Sequence, residues 1–175
     1  MPFQWDESPD LDTALGVLMK NQKGFSLIEL LIVVAIILII SAIAIPSYLR
    51  SRMQANEASA VSSLRMINTA AITYASTYVD LGYPASLADM GGAVPCTASS
   101  TSACLLDDSI ALGTKSGYAL AWTGDGLTPS AAYTTTATPV VVGGSGQRMF
   151  CTDQSGVIHY DPSGAGCTEA SAPVQ

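Results

Sequence analysis

Apolar and polar positions alternate along this chain in three different rhythms. Over residues 30–45 almost every side chain is apolar, and Ser41 is the one polar interruption. Counted from Phe25 to Ile45 the run is 21 residues long. As a helix it would span about 32 Å, which matches a hydrocarbon core of roughly 30 Å, so it predicts a membrane-crossing helix. The next rhythm is helical. Val61, Leu64, Ile67, Ala71, Tyr74 and Tyr78 recur at steps of three and four and form one stripe, the inner side of a globular head. Arg50, Arg52, Arg65 and Glu57 are assigned to outer faces. Gly82 and Pro84 in "VDLGYPAS" end the helix.

The third rhythm has period two. "SGYALAWTG" puts Tyr118, Leu120 and Trp122 on one face, and "AAYTTTATPVVV" is a second β-prone run. "QRMFCTD", Gln154-Ser155-Gly156 and "VIHYD" read as a hairpin. Three or four antiparallel strands would cover the helical stripe. The tract "ASLADMGGAVPCTASSTSACLLDDS" before them reads as loop. The predicted class is α+β, with a long N-terminal helix packed on a small antiparallel β-sheet. Four segments follow: a leader at 1–24, a hydrophobic transmembrane and assembly helix at 25–52, an amphipathic helix half at 53–80, and a head at 81–175.

Charge and chemistry narrow the function. Only 12% of residues are charged and the net charge is −7, so no basic patch is present to hold nucleic-acid phosphates. Lys20 and Lys23 precede the apolar run and are expected to stay in the cytoplasm, which exports everything after it. Cys96, Cys104, Cys151 and Cys167 then lie in an oxidising compartment, where two disulfides are the simplest outcome. Three connectivities are possible, and Cys96–Cys104 with Cys151–Cys167 is the pairing favoured. The cysteine spacings are too long for a zinc site. His159, the sole histidine, is read as an exposed strand residue. G-x-S-x-G, P-loop, G-x-G-x-x-G and H-E-x-x-H signatures are all missing, so no enzyme is expected.

The stretch "KGFSLIELLIVVAI" resembles the class III signal of type IV pilins and of the pseudopilins of type II secretion. The resemblance is specific over residues 23–52. It implies that a prepilin peptidase cuts between Gly24 and Phe25 on the cytoplasmic side and methylates the new N-terminal Phe25. The family's acid, fifth after the cut, falls on Glu29, and its helix-bending proline on Pro46. It also implies a long helix with an antiparallel sheet, and a disulfide-bounded C-terminal loop such as Cys151–Cys167 would close. Closing about 15 residues contributes roughly 3 kcal/mol in the entropic account. Leaders of this family are short, and "MKNQKG" from Met19 would suffice, so translation is expected to start at Met19.

Glu29 is the residue that demands an explanation. A carboxylate in hydrocarbon costs several kcal/mol. It could reach the head groups by extending toward the surface. The alternative is a partner: cleavage creates a cationic amine on Phe25, and the amine of an incoming copy could pair with Glu29 of the copy before it. Leu, Ile and Val side chains can face lipid before assembly and other copies afterwards. Phe25, Tyr48, Tyr74 and Tyr78 are read as packing residues.

On this reading the chain is a pilin, anchored in the inner membrane and then exported into an extracellular pilus. Its partners are other copies, the peptidase and the inner-membrane assembly platform. The alternatives are a type II secretion pseudopilin and an uncleaved single-pass membrane protein with a periplasmic binding head. No cofactor is expected; Asp153 and Asp161 are weak evidence for calcium of the kind some pseudopilins hold, and "TGDGLT" around Asp125 reads as a turn.

Overall fold

The computed structural model describes residues 24–164 and 166–174. The proposed leader, with Met19, Lys20 and Lys23, lies outside the described residues except for Gly24. The chain divides into two compact units between Ala44 and Ile45.

Helix α1, Leu27–Thr77, runs for 51 residues and contains Pro46. Proline has no N–H to offer the Ala42 carbonyl, yet the helix continues through it. Residues 27–40 of α1 are all exposed. In the second unit α1 buries Ala60, Leu64, Ile67, Ala70, Ala71 and Tyr74, while Val61 and Tyr78 are partly buried against the same core. The sequence stripe is therefore the buried one. The helix stops at Thr77, and Gly82, at φ +73°, accepts the left-handed turn that follows.

Two short helices replace the expected loop: α2, Leu87–Met90, and α3, Asp108–Ala111. Local capping explains both. The Ser86 N–H donates to Asp89 Oδ2 at 2.8 Å, and the Ile110 N–H donates to Asp107 Oδ1 at 3.0 Å. Leu87, Met90, Leu106 and Ile110 enter the core from this tract.

The sheet has six antiparallel strands rather than three or four, in sequence order. These are β1 Thr114–Lys115, β2 Tyr118–Gly124, β3 Tyr133–Pro139, β4 Met149–Asp153, β5 Ile158–Asp161 and β6 Ala172–Pro173. The two additions, β1 and β6, have two residues each and are too short to show alternation. Trp122 pairs with Thr135, Thr135 with Thr152, and Cys151 with His159. Tyr118, Leu120, Tyr133, Ala137, Phe150 and Ile158 complete the core.

Strand β4 is buried on both faces. Phe150 and Thr152 belong to the helix-facing side, where Asn68 Nδ2 donates to Thr152 Oγ1 at 2.9 Å. Cys151, on the opposite side, is bonded to Cys167.

Two expectations need correction. Glu57 is not on an outer face; it is buried, one helical turn before Ala60 and Val61 on the same stripe. Its charge is tolerated because the Arg148 side chain and the Gln147 and Arg148 N–H groups meet it. His159 is half-buried rather than exposed, and its Nδ1 lies 2.7 Å from the Ser171 carbonyl oxygen.

Candidate functional site

The chain's chemistry is concentrated at the start of α1. Gly24 and Phe25 precede the helix and are exposed, and among the described residues a side chain at Gly24 would meet no neighbour. The Gly24–Phe25 peptide bond thus lies in an exposed stretch outside regular structure. The Ser26 carbonyl accepts the first bonds of α1, from Glu29 N–H at 3.1 Å and Leu30 N–H at 3.2 Å. Glu29 is in the first turn, where the unpaired N–H groups of the helix favour an anion. Its side chain is exposed among apolar neighbours.

Those neighbours are uncovered. Phe25 and Leu27 are each 77% exposed, and exposed Leu, Ile and Val side chains continue to Ile45. A soluble surface rarely presents so large a contiguous apolar area. Among the described residues α1 is the one helix long and apolar enough to cross a membrane.

The sheet side holds the remaining sequence candidates. Cys96 is bonded to Cys104, and Cys151 to Cys167, with Cα–Cα separations of 6.1 and 5.7 Å. The second bond lies beside Asp153, His159 and Glu169. Burial would raise Asp153, but hydrogen bonds from the Ser155 hydroxyl and N–H hold it below its ordinary value. Asp161 accepts the Gly166 N–H at 3.3 Å. Asp125 staples its turn: it accepts N–H groups of Leu127, Ala131 and Ala132, which hold its carboxyl down at about 2. Among the described residues no group of three His, Cys, Asp or Glu side chains is placed to hold a metal ion.

Glu57 with Arg148 is the pair the sequence reading missed. Extending the stripe one turn toward the N-terminus would have placed Glu57 on the buried face.

Comparison with known proteins covers a minor part of the chain. Residues 19–45 match the family model described as the prokaryotic N-terminal methylation motif. The chain therefore carries that N-terminal motif. It is 59% identical over 39 residues to the type IV wide pilus major component PilA4 of Thermus thermophilus, covering 22% of this chain and 30% of that protein. It is 55% identical over 53 residues to two fimbrial proteins of Pseudomonas aeruginosa, covering 30% of this chain and 34% of each. The chain thus matches about a third of the length of these curated relatives. No solved structure matches it. The α+β build outside that segment, a helix backed by an antiparallel sheet, is consistent with the pilin fold.

Proposed function

We propose that the chain is a structural subunit of a type IV pilus. In this reading a prepilin peptidase cuts between Gly24 and Phe25 and methylates Phe25. The product is held in the inner membrane by α1 until the assembly platform extracts it. Copies then polymerise through their helices, and the heads present a surface for adhesion, motility or DNA uptake.

One observation carries the proposal: an uncovered apolar helix whose only early charge, Glu29, lies one turn behind an accessible Gly–Phe bond. Lipid can cover Leu, Ile and Val before assembly and other copies can cover them afterwards, so extraction forfeits little apolar burial. Glu29 gains a partner only when a cationic terminus arrives. The amine of its own Phe25, four residues before it, competes with that of the next copy. Pro46 loosens one turn and lets the helix bend during packing. The names of the relatives, a pilus component and fimbrial proteins, favour a pilus over a secretion piston.

The test is to shear surface fibres from cells and read the N-terminus of their main protein by mass spectrometry. N-methylated Phe25 is the expected terminus. Fibres without this chain, together with a secretion defect on its deletion, support the pseudopilin instead. Glu29→Val should leave membrane insertion intact and abolish or cripple fibre growth; normal fibres from that variant remove the docking role.

A further inference from the structure

The loop from β3 to β4 presents three consecutive valines to solvent. Val140 is 63% exposed, Val141 59% and Val142 50%. Three exposed apolar residues in a row act against solubility unless they have a use. This loop is not a slack one. The Val140 N–H donates to the Gly117 carbonyl at 3.0 Å, and the Val141 N–H to Ser145 Oγ at 3.1 Å. Gly144 and Ser145 N–H groups both donate back to the Val141 carbonyl.

Helix α1 fixes the loop a second time. Asn56 Nδ2 donates to the Ser145 carbonyl at 2.8 Å, and Glu57 accepts the N–H groups of Gln147 and Arg148 at 2.9 and 3.1 Å. Gly146 has room for no side chain, because a methyl there would overlap the Tyr118 hydroxyl. The valines are therefore held in one geometry by hydrogen bonds within the loop and by partly buried ones to α1, and a partner binding them need not order the loop first. The stretch "PVVVGGSGQ" carries no charge that would oppose an apolar partner.

We propose that this valine knob is an intermolecular contact, and that it packs on the apolar segment at residues 25–45 of a second copy of the chain. That segment is where the chain's exposed Leu, Ile and Val side chains are concentrated. Once the helix leaves lipid, any part of it not covered by other helices needs an apolar cover. The knob supplies a rigid one, clamped to α1 itself at Asn56 and Glu57. The inference rests on the pilus reading for its partner, and it names a head contact in addition to helix packing.

The test is a photo-crosslinking residue in place of Val141 in the full-length chain, expressed in its own cells. The expected product is a covalent dimer of this chain, with the adduct mapping to residues 25–45. Val140→Thr together with Val142→Thr should lower the dimer yield about tenfold, as expected if two buried methyls are lost at a factor of ten per 1.4 kcal/mol. Adducts to lipid alone, adducts to an unrelated protein, or no dimer overturn the contact. The two readings separate cleanly. This chain in sheared fibres without the dimer keeps the pilus and removes the knob. The dimer in a chain absent from fibres keeps the knob and removes the pilus.

Discussion

The guanidinium of Arg148 closes on the carboxylate of Glu57, with Nη2 2.7 Å from Oε2 and Nε 2.8 Å from the same oxygen. Oε1 accepts the N–H groups of Gln147 and Arg148, so four donors meet one buried acid. Arg148 is in turn held 5.4 Å from the ring centres of both Phe150 and Tyr160. The pair thereby joins α1, the β3–β4 loop, β4 and β5. Glu57→Gln keeps the shape but removes the charge and turns one acceptor into a donor facing Arg148. A loss of roughly 1–3 kcal/mol is expected, the range for leaving a buried partner unsatisfied. The midpoint of chemical denaturation of the detergent-solubilised chain measures it. An unchanged midpoint would mean that solvent replaces the pair at no cost.

The same acid sets a pH dependence. Burial would raise Glu57, but the backbone donor of Gln147 and then the Arg148 contacts outweigh it and leave its carboxyl below 4.5. A depressed acid stabilises the fold above its unfolded value and loses that contribution as pH falls through its folded value. Stability should therefore decline below about pH 4.5 in the native chain, and less steeply in Glu57→Gln. The alkaline side has the opposite sign. Burial pushes the Tyr118 and Tyr133 hydroxyls up to about 12 from an ordinary 10. Their contribution is complete below pH 10 and is lost as pH rises toward 12. Tyrosinate absorbance should show Tyr118 and Tyr133 ionising late and together with unfolding.

The helix and the central strands were legible because each repeats its pattern several times. Leu64, Ile67, Ala71 and Tyr74 bury one stripe, and Tyr118 and Leu120 bury one side of β2. The hairpin at Ser155-Gly156 was readable from its turn chemistry, and β4 pairs with β5 there. Periodicity is silent on two-residue edges such as β1 and β6, whose pairing is imposed by their neighbours. The tract before β1 holds Gly, Pro, Ser and Thr and was read as loop, which hid the capping pattern of Ser86 and Asp89. Glu57 was misplaced because polarity was taken as exposure, although its partner Arg148 lies 91 residues away. At the N-terminus the residues of the motif are readable one by one. In the proposed function they dock against a second molecule, and no single chain encodes such a contact among its own.

Asn68 is a second polar residue of the buried stripe beside Glu57, and its amide is used on both sides. Nδ2 donates to Thr152 Oγ1 at 2.9 Å and Oδ1 accepts the Tyr133 hydroxyl at 3.1 Å. Asn68→Ala would leave the Tyr133 hydroxyl buried without its acceptor and open a small void. A loss of about 2–3 kcal/mol is expected from these two effects. Tyr133→Phe in the same background should add little, because its hydroxyl would already have lost its partner. Additive losses in the double variant would show that Asn68 and Tyr133 act independently.

Thr135 makes the opposite prediction. It is fully buried on β3, opposite Thr152, and among the described residues its hydroxyl oxygen has no hydrogen-bond partner. A buried hydroxyl without a partner forfeits its hydration and receives nothing in exchange. Valine has the same branched shape and the same preference for strands, and it brings no polar atom. Thr135→Val should therefore raise stability by about 1 kcal/mol, read as a higher denaturation midpoint at an unchanged slope. A lower midpoint would show that the hydroxyl is satisfied by an internal water bridging to the neighbouring Thr152–Asn68 pair, which valine would expel.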